Sequence, residues 1–186
     1  MTTFTKTLLL LICLGIGLAP LAITASALPI GTPTPAPITT PDAPTAYQMG
    51  QTLFAAGRYT AAGRFFSDAI RQQVDLWEAY LGRAQSYAGM GEFTLAIADY
   101  TTVLQAQPDH ADAYTLRAEA LVALGNSGTA LTDLTQAIEL EPTPERYLSR
   151  GEVYFAVGDF AAALADLNEA IEGNPDLWKA YYWRGR

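Results

Sequence analysis

Residues 77–108 read WEAYLGRAQSYAGMGEFTLAIADYTTVLQAQP. Apolar residues recur three and four apart from Trp77 to Met90 and again from Phe93 to Ala106, a spacing that gathers one apolar face on each of two helices. Gly91 falls between the two runs, where the chain must turn. Ala84 and Ala96 are small enough for the helix axes to approach to about 8–10 Å. Pro108 ends the second run, since proline has no N–H to donate, and Asp109 is placed to cap the next helix.

The same pattern recurs along the chain. Gly57, Gly91, Gly125 and Gly158 lie 34, 34 and 33 residues apart, and alanine follows each five residues later, at Ala62, Ala96, Ala130 and Ala163. Further columns fall into phase: Ala69, Val103, Ala137 and Ala170; Phe66, Tyr100, Leu134 and Leu167; Tyr80, Tyr114, Tyr147 and Tyr181; and Pro108, Pro142 and Pro175. Small residues at Gly50, Ala84, Ala118, Gly151 and Gly185 follow the tyrosine column by four. A period near 34 signals stacked helical hairpins. The units run about 43–76, 77–110, 111–143 and 144–177, with the first helix of a fifth at 178–186. The first diverges most, with Val74 in the proline slot and Ala46 in the tyrosine slot, as terminal units of solenoids do. The third carries GNSGTA where the others have an aromatic, Tyr59, Phe93 or Phe160, which predicts a less tightly packed hairpin.

These columns resemble those of the tetratricopeptide repeat from about Ala43 to the end of the chain. The resemblance implies an all-α fold, an α-solenoid of antiparallel helix pairs wound into a right-handed superhelix. It also implies a non-enzymatic interaction scaffold whose first helices line a concave groove for an extended peptide or a partner's helix. Projecting the helical period outward from the packed columns gives groove candidates Tyr47, Gln51, Phe54, Leu81, Gln85, Thr115, Glu119, Val122, Leu148, Glu152, Phe155 and Tyr182. Chaperone-binding members of the family clamp a C-terminal carboxylate with Lys and Asn. Here those slots hold Tyr47, Gln51, Leu81, Gln85, Thr115 and Glu119, so a chaperone tail is disfavoured and a basic or apolar peptide fits better. The alternative reading is the recognition module of a longer envelope-assembly factor or enzyme.

One charged pattern accompanies the packing columns. Arg83, Arg117, Arg150 and Arg184 share a slot on the first helices, and Asp99, Asp133 and Asp166 share one on the second. In the first unit Met49 and Phe65 replace both, which points to physical pairing, because removing one member of a desolvated pair would cost about 3–5 kcal/mol. The pairing could run within a unit or to the preceding one, and Arg184 has only Asp166 to use. A structural ladder explains the pattern without a ligand.

Ahead of the array, MTTFTKTLLLLICLGIGLAPLAITASALP has Lys6, an apolar stretch and a small-x-small site at Ala25-Ser26-Ala27, the features of an export signal cleaved after residue 27. An uncleaved anchor over Thr7 to Ile23 is the alternative, and Cys13, preceded by Ile12, does not suit lipid attachment. The protein is therefore expected to be exported, periplasmic or extracellular, with no membrane association once cleaved. Residues 28–44 form a linker; LPIGTPTPAPITTPDAPT holds six prolines in 18 residues and cannot build a core.

The whole chain has 186 residues and a formal charge of −8, and loss of Lys6 makes the mature form more negative still. That balance argues against nucleic acid and anionic membranes, both of which need cationic side chains. His110, the only histidine, sits in a turn between Asp109 and Asp112 and lacks the further donors a metal needs. No phosphate-binding loop or activated nucleophile is present, so no enzyme activity, metal or cofactor is expected. At the far end DLWKAYYWRGR repeats the opening of DLWEAYLGR. Trp178 and Tyr181 are expected to pack back on the fourth unit, between Phe160 and Gly173. Trp183 is expected to stay exposed and to favour self-association through that helix or further repeats.

Overall fold

The computed structural model describes residues 41–73 and 75–186. The export signal, its cleavage site, most of the proline-rich segment and Val74 lie outside the described residues.

Among the described residues the apolar periodicity becomes nine helices: α1 Ala43–Ala55, α2 Tyr59–Gln72, α3 Trp77–Gly89, α4 Phe93–Ala106, α5 Ala111–Ala123, α6 Ser127–Leu140, α7 Pro144–Val157, α8 Phe160–Gly173 and α9 Trp178–Arg184. They form four antiparallel hairpins followed by one further helix. Ala43 and Pro44, assigned to the linker by composition, open α1, where Asp42 caps the helix by accepting from Thr45 N–H at 3.0 Å. Pro44 is tolerated there because the first turn has no intrahelical partner for its N–H. No described helix is long and apolar enough to cross a membrane.

The four periodic glycines all have positive φ, 70° to 87°, a backbone state that residues with a Cβ adopt only at a cost. In the second unit Glu92 N–H donates to Tyr87 O at 2.9 Å and Gly91 N–H to Ala88 O at 3.0 Å. This crossed pair satisfies the carbonyls orphaned at the helix end and turns the chain by the same geometry in every hairpin. Between units the cap differs from expectation. His110, and not Asp109, precedes α5, and its Nδ1 accepts from Ala113 N–H at 3.2 Å. Its ring also lies edge-on to Trp77 at 5.4 Å, so the sole histidine serves packing and capping.

Each core cluster ties the two helices of one unit to the first helix of the next. Ala62, Phe66 and Ala69 meet Ala79; Val103 and Leu104 meet Ala113; Leu134 meets Val153; and Leu167 and Ala170 meet Ala180. Stability is therefore a chain of nearest-neighbour interfaces. The close approach is enforced at Phe66, whose ring lies between Gly50 and Gly82, so that a methyl on Gly50 would come within 2.8 Å of it. The third hairpin is not loosely packed: Ala130 and Leu134 are as buried as their counterparts. The missing aromatic instead leaves space on the groove side.

Candidate functional site

The ladder runs within each unit. Arg83 grips Asp99 with two hydrogen bonds, Nε to Oδ2 at 2.7 Å and Nη2 to Oδ1 at 2.8 Å, and Arg117–Asp133 and Arg150–Asp166 repeat this geometry. The remaining nitrogen crosses to the preceding unit: Arg83 donates to Ser67 Oγ at 3.2 Å, and Arg117 and Arg150 donate to Thr101 and Thr135 Oγ1 at 3.1 Å. Those hydroxyls in turn donate to the carbonyls of Gly63, Ile97 and Leu131. Arg184 does not take Asp166, which Arg150 holds; its Nη1 reaches Asn168 Oδ1 at 3.0 Å, in the same hydroxyl column. The Arg83, Arg117 and Arg150 guanidiniums also lie over Tyr80, Tyr114 and Tyr147. Hydrogen bonding to the aspartates, more than their charge, raises the pKa of these three arginines despite burial. The hydroxyl column was overlooked in the sequence, although Ser67, Thr101, Thr135 and Asn168 keep the period.

Six of the twelve groove candidates, Phe54, Gln85, Glu119, Val122, Glu152 and Phe155, come together between consecutive first helices. Three cavities of about 320–340 Å³ open there, one at each of the last three junctions. Their linings are equivalent by position: Gln85, Ala88, Phe93, Tyr100 and Leu116 in the first become Glu119, Val122, Ser127, Leu134 and Ser149 in the second. In the third, Phe155, Phe160, Leu167 and Trp183 occupy four of these slots. Phe54 borders the first cavity, where it meets Tyr59 at 5.5 Å. Tyr47 lies against Phe66, takes a hydrogen bond from Gln51 and has its pKa raised by burial and then by Glu78. Leu81 is half-buried against the packed core below.

Five placements differ from expectation. Leu148 is buried, 7% exposed, in the cluster with Leu167, Ala170 and Ala180 and is core. Thr115 is engaged by Arg146, whose Nε donates to its hydroxyl at 3.3 Å. Trp183 is half-buried: its indole N–H donates to Glu152 Oε1 at 2.6 Å and its ring meets Phe155 at 5.2 Å. Trp178 and Tyr181, expected to pack back on the fourth unit, are instead 68% and 42% exposed. The expected self-association through an open Trp183 therefore loses its premise, although Trp178, Tyr181 and Tyr182 are exposed.

Arg146 also escaped the sequence reading. It occupies the slot that Ala79, Ala113 and Ala180 fill in the second, third and fifth units, and is itself 5% exposed. Its guanidinium donates to Glu141 O at 2.7 Å and pairs with Asp112 and Glu141. This large residue stands between α5 and α7, which meet less than the other neighbouring first helices. The second cavity opens there.

Glu119 borders the first two cavities. Glu119 is exposed as a residue, yet the groove walls partly desolvate its carboxyl, and this, followed by the charge of Glu152, pushes its pKa above the ordinary value. Among the described residues no group of three or more metal-binding side chains converges.

The tetratricopeptide-repeat family model matches residues 81–145 and 148–186, more than half of the chain. The chain belongs to the tetratricopeptide-repeat family. Among solved tetratricopeptide-like structures, MamA 41-end from Desulfovibrio magneticus RS-1 is 19% identical, with 77% of this chain and 81% of that chain covered and a TM-score of 0.73. YrrB, described as a protein of this repeat type with an unusual peptide-binding site, is 23% identical over 77% of this chain and 75% of its own, with a TM-score of 0.69. The first repeat domain of Spaghetti (RPAP3), bound to the HSP90 peptide SRMEEVD, is 24% identical over 59% of this chain and 87% of its own, with a TM-score of 0.57. At these identities the tetratricopeptide fold is what is shared. No curated protein matches the sequence.

Proposed function

We propose that this tetratricopeptide array is a non-enzymatic scaffold that holds an extended segment of a partner protein along its concave groove. The observation that carries the reading is the row of three positionally equivalent cavities between first helices. A row of pockets at a constant structural repeat suits a ligand that presents side chains at regular intervals, as an extended chain does. YrrB and Spaghetti, which share the fold and are described with peptide sites or peptides, support the same use of it. The absence of Lys and Asn from the clamp slots turns the reading away from a C-terminal carboxylate ligand. The sequence of residues 1–27 supports export, and an exported array would meet its partner in the periplasm or outside the cell.

Site-specific photocrosslinking tests this. A crosslinking side chain at Val122, in the groove, should capture a partner in cells, whereas one at Leu95, exposed on α4, should not. Equal capture at both positions would remove the groove from the account.

A further inference from the structure

We propose that the cavity between α5 and α7 receives a lysine or arginine side chain of the partner segment. This rests on the groove reading above and assigns the chemistry of its middle pocket. The cavity, about 340 Å³, has apolar walls at Ala118, Val122, Leu134 and Val153, and Glu119 and Glu152 border it. Ser127 stands where Phe93 and Phe160 occupy the neighbouring sites, so its small side chain leaves room that an aromatic takes elsewhere.

The two carboxylates are differently committed. Glu152 accepts from the Trp183 indole, which fixes its position. Glu119 accepts no side-chain or backbone hydrogen bond among the described residues, and the arginines of the two helices are held elsewhere, Arg117 by Asp133, Arg150 by Asp166 and Arg146 by Asp112 and Glu141. A partly desolvated carboxylate beside a second negative charge, with no cation supplied by the described residues, is satisfied by a cation from outside. The apolar walls suit the methylene stem of Lys or Arg, and the rim suits its charged head. A hard metal ion is a poorer occupant, since calcium takes six to eight oxygens and two carboxylates alone do not supply them.

The neighbouring pocket between α3 and α5 touches Glu119 at one wall and is otherwise uncharged, with Phe93, Gln85 and Leu116. Adjacent helices stand about 10 Å apart and an extended chain advances about 3.3 Å per residue, so the two pockets are served by residues about three apart. The probes are therefore fluorescein-labelled Ala/Ser peptides with Leu three residues from Lys, in both orders. Matched peptides carry norleucine or Glu in place of Lys. Binding to the full chain is read by fluorescence anisotropy.

The Lys peptide should bind about tenfold tighter than its norleucine counterpart, an advantage of about 1.4 kcal/mol. Glu119→Gln should remove that advantage and leave norleucine binding unchanged. Glu169→Gln, an exposed acid on α8, should preserve it. Ser127→Phe, which restores the residue type of the other units, should fill the pocket and weaken the Lys peptide while the fold persists. If Lys and norleucine peptides bind alike, or the Lys advantage survives Glu119→Gln, the proposal is overturned. Charge-blind binding that Ser127→Phe still weakens would overturn it while leaving the groove reading standing. Failure of every peptide to bind at millimolar concentration would overturn both.

Discussion

Removing Asp133 strands an arginine that the fold has already desolvated. Asp133 is 4% exposed, the Arg117 side chain is 18% exposed, and the two share hydrogen bonds at 2.8 Å. Truncating one partner of such a buried pair costs about 3–5 kcal/mol, most of it the penalty for the charge left behind. Arg117 retains a narrow path to water and its bond to Thr101, which places Asp133→Ala near the lower end, about 3 kcal/mol. Against a domain stability of about 5–15 kcal/mol that is a large fraction. The first unit shows an alternative, since Met49 and Phe65 fill the same two slots without charge. The double variant Arg117→Met, Asp133→Phe leaves no stranded ion and should fall within about 1 kcal/mol of the parent, as apolar replacements of buried pairs often do. Urea titration of the parent, Arg117→Met, Asp133→Phe and the double variant, followed by circular dichroism and by tryptophan fluorescence, gives the four stabilities of the cycle, and coincident curves license two-state treatment. A double variant that loses the sum of the two single losses would refute the argument, because it would mean that the pair is not coupled.

Other consequences concern packing and caps. Gly82→Ala drives a methyl into the Phe66 ring and should cost about 1–3 kcal/mol, read as a lower urea midpoint. Gly128→Ala, with nothing near its added methyl, should be neutral or stabilising by up to about 1 kcal/mol in the same assay. His110→Ala should cost about 1 kcal/mol through loss of the α5 cap, and His110→Asn should recover most of it.

What the sequence disclosed was what repetition discloses. A glycine with positive φ, an alanine at a helix crossing and a tyrosine under an arginine each impose the same demand in every unit. Gly91, Ala96 and Tyr80 therefore announced themselves by returning in phase. The within-unit direction of the Arg–Asp pairs was not legible, because helical spacing puts each arginine level with two carboxylates and only side-chain geometry selects one. Exceptions to the period were harder still. Arg146 breaks a column of buried alanines, and the charge in that slot was the available signal. Trp183 and Leu148 were misplaced for a related reason: projecting a helical face says which way a residue points, but not which neighbour arrives to cover it. For Trp183 the cover is Phe155 and the Glu152 carboxylate on α7.

The groove carries a cost that stability measurements can expose. Glu119 faces Glu152 on α7 and Tyr100 on α4, with no cation among the described residues to offset its desolvation. Its folded pKa lies above the unfolded value, so the native state binds the proton more readily than the unfolded chain does. Native stability is then greatest when Glu119 is protonated and declines as the pH rises through the raised value. Glu119→Gln removes the charge at nearly constant shape. It should raise the melting temperature at pH 7, and the gain should vanish near pH 4, where the parent carboxyl is itself neutral. A substitution that stabilises the free protein while weakening a Lys-bearing ligand would place Glu119 where function is held against folding. An equal gain at both pH values would show that packing, and not the carboxylate's charge, sets the difference.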